Sequence, residues 1–262
     1  MEHNIIFCFT GTGNCLKVSK DIAASLPNCS IRHMGRDSAD VDISANKRVG
    51  FVFPVYFLGL PLQVKEFIAK LKVPQDFSGY FFCIGTFGLI PGNASRQVNA
   101  LLRQQGQEIQ YAAYIKMADN AIAFYGSKPN LDKLSISYQR HMAHIIPAID
   151  SLHIQQTGGE LGLVKAYYNA QIPKMQSRDA GFSISENCTA CGMCGDICPA
   201  GNIRITNGTP VFRHQCEQCM ACIQLCPQKA IDYNNKCARR QRYRHPDISL
   251  NELHTFLSSK KQ

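Results

Sequence analysis

Tryptophan is absent from this chain, and charged residues make up only 18% of its 262 positions. Low charge beside 45% hydrophobic residues excludes a disordered chain and supplies enough apolar material for a real core. No secretory leader is visible. Met1-Glu2-His3-Asn4 has no basic region, and Gly11 and Gly13 break the apolar run that follows. No transmembrane segment is expected: the uncharged stretch Val49 to Val64 is too short to span a bilayer and is interrupted by Pro54, Gly59 and Pro61. No Gly-Lys-Ser/Thr follows the first glycines, which excludes a Walker loop. No Ser–His–Asp set or paired-carboxylate site stands out. His141, His144 and His153 fall on a long expected helix and read as surface or packing residues.

Cysteine is plentiful, with 13 residues. Without a leader, that number points to a reducing, cytoplasmic setting and to metal, not disulfides. Eight of them form two arrays: Cys188-x-x-Cys191-x-x-Cys194-x-x-x-Cys198-Pro199 and Cys216-x-x-Cys219-x-x-Cys222-x-x-x-Cys226-Pro227. The spacing is the bacterial [4Fe-4S] run, and two copies imply two clusters. Thiolates are soft anionic donors suited to iron held with sulfide. In this arrangement the fourth cysteine of each array reaches the other cluster. Cys188, Cys191, Cys194 and Cys226 are therefore assigned to one cluster, and Cys216, Cys219, Cys222 and Cys198 to the other. Structural zinc in two four-cysteine sites is the competing reading. Gly192 and Gly195 permit unusual backbone angles beside the first array, where the second has Met220 and Ile223.

The formal charge is +9. Eight thiolates around two cores of about +2 each would bring it to roughly +5, so the basic excess is partly a counterweight to cofactors. No nucleic-acid motif accompanies it, and no nucleic-acid partner is expected.

The N-terminal part alternates strand and helix signals. Strands are expected at Asn4 to Phe9, Cys29 to His33, Val49 to Phe53, Tyr80 to Ile84 and Ile109 to Ile115. Helices are expected at Asn14 to Leu26, Leu60 to Leu71, Ala94 to Gln105 and Lys133 to Gln155. Alternation of this kind builds an α/β doubly wound parallel sheet, and five strands suit the flavodoxin-like order 2-1-3-4-5. The expected division is an α/β domain over 1–160, a connector over 161–180, a small α+β two-cluster domain over 181–235, and a basic tail with a short helix over 236–262. Arg239, Arg240, Arg242 and Arg244 in that tail read either as a docking patch for acidic partners or as a solvated surface.

The loop Thr10-Gly11-Thr12-Gly13-Asn14-Cys15 lies between the first strand and the first helix. Its glycines let the backbone close on an anion, and hydroxyls and N–H groups at the helix start can donate to it. A dinucleotide fingerprint would want glycine where Leu16 stands and an acid near Ile31-Arg32-His33. The phosphate of FMN is the better guest. Two further strand-end loops offer aromatic rings at the same edge: Pro54 with Tyr56 and Phe57, and Gly85-Thr86-Phe87-Gly88. Tyr56 or Phe87 could stack on a flat ring, and Asp119 in the loop after the fifth strand could close the site. Lys17 and Arg32 fall near the same edge.

Together, Phe9-Thr10-Gly11-Thr12-Gly13-Asn14, the Pro54 and Gly85 loops and both cysteine arrays resemble the bacterial flavodoxin–ferredoxin fusion proteins. The resemblance covers almost the whole chain. Where flavodoxins commonly have Ser or Thr it has Cys15, and where they often have Trp it has Tyr56. The likeness implies FMN beside two [4Fe-4S] clusters and electron transfer between them, to or from a redox partner protein or a small-molecule acceptor. The alternatives are a ferredoxin-type carrier without substrate chemistry, and one without flavin. Neither substrate nor oligomeric state is legible.

Overall fold

The computed structural model describes residues 2–35, 39–124 and 130–259. The first half is a five-stranded parallel sheet in the order β2-β1-β3-β4-β5. Its strands are β1 (His3–Cys8), β2 (Cys29–His33), β3 (Asn46–Pro54), β4 (Tyr80–Phe87) and β5 (Tyr111–Lys116). They are joined through α1 (Asn14–Ser25), α2 (Leu62–Lys70) and α3 (Ala94–Arg103), and closed by α4 (Leu131–Asp150). This is the flavodoxin-like strand order. The long helix ends before His153, which follows the two-residue turn after it.

Side chains alternate across each strand, so two separate cores form. Ile6, Cys8, Val52, Phe82 and Ile84 pack under α1 and α4 on one face. Ile5, Phe7, Phe9, Phe51, Phe53 and Phe81 pack against α2 and α3 on the other. Arg48 is buried in β3 and donates from Nε to the Ile149 carbonyl at 3.0 Å and from Nη2 to the Asp150 carbonyl at 2.6 Å. It thereby ties β3 to the last carbonyls of α4, adding a second donor at Ile149, which also accepts from the Leu152 N–H.

The segment expected as a connector is helical. Residues Gly162–Met175 form α5, and Gln176–Gly181 form a 3₁₀ turn. Tyr168 of α5 is buried and donates to the Leu60 carbonyl at 2.8 Å.

Next come β6 (Phe182–Ile184), α6 (Met193–Asp196), the hairpin β7 (Ile203–Thr206) and β8 (Thr209–Phe212), α7 (Ala221–Gln224) and β9 (Ile231–Tyr233), which pairs antiparallel with β6. Asn207 (φ 48°) and Gly208 (φ 75°) form the two-residue hairpin turn that Asn-Gly favours. The two arrays repeat each other in backbone as well as in spacing. Ala190 and Gln218 have φ of 53° and 54°, and Gly192 and Met220 have 81° and 57°. Met220 thus adopts without a glycine the left-handed geometry of its counterpart.

The basic segment is not a solvated tail. Arg240 donates to the Ile122 carbonyl and Arg242 to the Ile231 carbonyl. The His245 N–H donates to the Thr12 carbonyl at 2.8 Å. The chain then enters α8 (Leu250–Ser258), whose Leu253 and Leu257 are buried in the α1–α4 core. Ser249 caps α8 by accepting from the Glu252 N–H at 3.1 Å, in the Ser-x-x-Glu pattern of a capping box. Among the described residues no helix is long and apolar enough to cross a membrane.

Candidate functional site

The carboxyl ends of β1, β3, β4 and β5 open onto one cavity of about 720 Å³, a size suited to a cofactor. It is lined by Thr10, Gly11, Thr12, Asn14 and Cys15 after β1, and by Pro54, Tyr56 and Phe57 after β3. Thr86, Phe87 and Gly88 line it after β4, and Asp119 after β5. Gly13 and Gly85 do not line it. Gly13 (φ 98°) makes the turn into α1, while Gly85 lies under the Tyr114 ring within the sheet.

No side chain caps α1, so its first turn is available as an anion site. Thr10 Oγ1 already accepts from the Gly13 N–H at 3.1 Å, and Thr12 Oγ1 accepts from Asn120 Nδ2 at 3.3 Å. Each hydroxyl therefore keeps its own proton for an acceptor such as a phosphate oxygen. Asn14 is held differently. Its Nδ2 donates to the Ala118 carbonyl at 2.9 Å, and its Oδ1 accepts from the Tyr243 hydroxyl at 2.7 Å. It braces the loop against two neighbouring segments. Cys15 is fully buried with its sulfur 3.2 Å from Thr86 Oγ1, and burial raises its thiol pKa well above the ordinary value. Burial thus favours the neutral thiol over the thiolate at this wall of the cavity.

Tyr56 and Gly59 exchange two backbone hydrogen bonds of 2.9 Å around Phe57 and Leu58, whose φ values are 49° and 66°. Non-glycine residues there are strained, a condition that concentrates at functional loops. The Asn93 N–H fixes the turn by donating to the Leu58 carbonyl at 2.8 Å. Burial also raises the Tyr56 phenol well above its usual range, so it stays neutral.

Sequence reasoning missed two walls of this cavity. One comes from the supposed connector: Tyr167, Gln171 and Arg178. The Arg178 guanidinium lies 4.9 Å from the centre of the Phe57 ring and donates to Gln171 Oε1 at 2.6 Å. Arg178 and Asp119 are the charged residues among the described lining. Lys17 and Arg32 are not in it; Lys17 pairs with Asp21 at 2.8 Å instead.

The other missed wall is the second cysteine array. A Cβ on Gly11 would lie 2.8 Å from the Cys219 carbonyl oxygen. Asn120 bridges the same two segments, donating to that carbonyl at 3.2 Å as well as to Thr12. Glu217 anchors the array to α2, accepting from the Leu62 and Gln63 N–H groups at 3.0 Å each. A carboxylate there complements the positive end of the helix. The first array has Thr189 and Ala190 where the second has Glu217 and Gln218. That polar replacement was a readable signal, once the fold showed which array faces the cavity.

The eight cysteines surround two smaller cavities. One is lined by Cys188, Cys191, Cys194 and Cys226, the other by Cys198, Cys216, Cys219 and Cys222. Among the described residues no three potential ligands converge closely enough for a single metal ion. Four sulfurs set around a space suit a cluster better than a lone zinc. Backbone N–H groups of Asn202, Gln218 and Ala230 donate to the sulfurs of Cys198, Cys216 and Cys226 at 3.2, 3.3 and 3.3 Å. Such bonds favour the charged thiolate. Burial opposes it, pushing the Cys216 thiol up to about 12. Cys191 is exposed, whereas the four sulfurs of the other cavity are buried.

Residues 171–231 match the family model of the 4Fe-4S dicluster domain. Over 62 residues the chain is 44% identical to a component of the ion-translocating oxidoreductase complex of Methanosarcina acetivorans, covering 22% of this chain. The match spans 24% of that relative's length. Among solved structures, the FMN-dependent NADH-azoreductase of Bacillus anthracis, in complex with FMN, aligns with 57% of this chain and 99% of its own at 11% identity and TM-score 0.39. A WrbA-like flavodoxin of Agrobacterium tumefaciens aligns with 56% and 98% at 15% identity and TM-score 0.34. Likenesses of that size carry nothing about function, and the strand order stands on this chain's own ladders. Residues 171–231 thus form a domain of an electron-transfer type.

Proposed function

In a chain built as a flavodoxin–ferredoxin fusion, we propose that FMN sits in the strand-end cavity and two [4Fe-4S] clusters sit among the eight cysteines, forming one electron relay. Cys188, Cys191, Cys194 and Cys226 would hold one cluster, and Cys198, Cys216, Cys219 and Cys222 the other. When bound, the clusters supply one-electron exchange and the flavin two-electron exchange. The observation that carries the reading is the direct packing of Gly11 on Cys219. Two cofactor sites that share a wall fix a short distance between their guests, and distance is what a relay protein must set.

The residues divide the task. Thr10, Gly11 and Thr12, with the start of α1, receive the phosphate through neutral donors. Tyr56, Phe57 and Phe87 offer aromatic surface to a flat ring, while Asp119 and Gly88 close the edge after β4 and β5. Leu89, Ile90, Phe124 and Tyr167 are exposed large side chains at the mouth of the cavity. This apolar rim favours release of electrons to a small, flat acceptor at the mouth.

Purification without oxygen tests the reading. About eight iron and eight sulfide per chain are expected, with FMN released on denaturation. Zinc in place of iron, or a protein that retains no flavin under these conditions, overturns it.

A further inference from the structure

We infer that Gln218 connects the two cofactor sites, its carboxamide nitrogen holding the Cys216 sulfur and its carboxamide oxygen accepting a hydrogen bond from the ligand in the large cavity. The inference rests on the proposed reading of that cavity as the flavin site. It adds which face of the cavity receives a ring N–H: the one formed by the second cysteine array.

Gln218 lines the cavity and is only 6% exposed. Its backbone N–H donates to Cys216 Sγ at 3.3 Å, and its Nε2 donates to the same sulfur at 3.4 Å. A sulfur bound to iron can only accept, so the amide must turn its NH₂ toward the cysteine. The oxygen then faces away from the sulfur. That Oε1 is buried and has no hydrogen-bond partner. Buried acceptors are seldom left unmet, and in a residue that lines the cavity the missing donor is assigned to the occupant. The matching chemical class is a flat heterocycle carrying an N–H at its edge.

The repeat provides an internal control. Ala190 takes the equivalent place in the first array with φ 53°, against 54° for Gln218. A loop of this shape around cysteines therefore needs no amide side chain. The left-handed conformation is unfavourable for a side chain as large as glutamine. The glutamine occurs in the array that faces the cavity.

The test uses the full chain with its iron intact, stripped of flavin and titrated with FMN by fluorescence quenching. Gln218→Leu should weaken FMN binding by about tenfold, the effect of one lost hydrogen bond. It should also lower the midpoint potential of one cluster, since an N–H···S bond favours the more negative reduced state. Gln218→Met keeps the volume, and should show both effects if leucine disturbs the loop. Full iron content with both effects supports the inference. FMN affinity within twofold of the parent in a variant with full iron overturns the oxygen's role, and an unmoved cluster potential overturns the nitrogen's. If the parent itself binds no FMN, the flavin reading fails and the ligand role of Gln218 falls with it. The cluster potential of Gln218→Met then decides the sulfur contact alone.

Discussion

Gly11 and Cys219 meet without room for a methyl group between them: a Cβ on the glycine would reach 2.8 Å from the cysteine's carbonyl oxygen. The obstacle is backbone, which cannot rotate aside. Gly11→Ala must therefore separate the anion loop from the cysteine array. The expected cost is about 1–3 kcal/mol of stability, as for other overpacked sites. Thermal unfolding measures it, and weaker flavin retention with normal iron content should accompany it.

Glu217 ties the second array to the start of α2 through two backbone N–H groups. Glu217→Ala leaves both donors without that carboxylate, and hydrogen bonds to charged groups contribute about 1.5–3 kcal/mol each. A loss of roughly 2–4 kcal/mol is expected in denaturant unfolding. Glu217→Gln can satisfy one donor and should recover about half of it.

Cys198 and Cys226 stand in each other's cavities relative to their own arrays. Cys198→Ala should deplete the cluster otherwise held by Cys216, Cys219 and Cys222, taking iron from about eight toward about four per chain. Cys226→Ala should deplete the other. Separate electron paramagnetic resonance signals of the reduced protein distinguish the two outcomes. Loss of the same signal in both variants contradicts the exchange of fourth ligands.

Arg242 is half-buried and donates to the Ile231 carbonyl, while its Nε and Nη1 are buried without a hydrogen-bond partner. Burial lowers its pKa, and Cys237, Asp232, Cys226 and Cys222 oppose that shift. A fixed cation near the sulfurs favours the reduced cluster. Arg242→Gln should lower one cluster potential by about 40 mV, equivalent to about 1 kcal/mol for one electron. Redox titration at constant pH is the measurement.

His245 is buried beside the anion loop, and burial depresses its pKa below the ordinary 6.5. Asp247 and Asp21 oppose the shift, and Lys17 and Arg244 add to it. Unfolding releases a ring that binds a proton more readily. The stabilising contribution is thus complete above about pH 6.5 and declines as pH falls toward the folded-state value. His245→Gln should flatten the dependence of Tm on pH across that acid range. An unchanged slope would locate the titration elsewhere.

Much of the fold was legible because local chemistry dictated it. The sheet order followed from alternating strands and helices, since parallel strands need helical crossovers. The dicluster domain followed from cysteine spacing, because neighbouring sulfurs must reach one inorganic core. Residues 162–175 escaped that reading. Pro173 and mixed charge suggested a connector, but α5 is stabilised by burying Tyr168 against Leu60, a contact between residues 108 apart in sequence. The arginines after Lys236 suggested a solvated tail for the same reason: local polarity says nothing about carbonyls that arrive from Ile122.

From residue order alone came the strand-end loop with its two threonines and two glycines, the aromatic loops beside it, and eight thiols in two repeated arrays. These depend on neighbours within a few positions, where spacing and backbone freedom are sufficient causes. Tertiary structure alone decided that the second array, and not the first, packs on the anion loop, that Gln218 lines the large cavity while Ala190 does not, and that Tyr243 braces Asn14 from 229 residues away. Identical cysteine spacing does not say which array will be buried, and the Glu217-Gln218 pair that distinguishes the second takes its meaning only from the surface it meets. That choice belongs to the surface each finds when the domains close on one another.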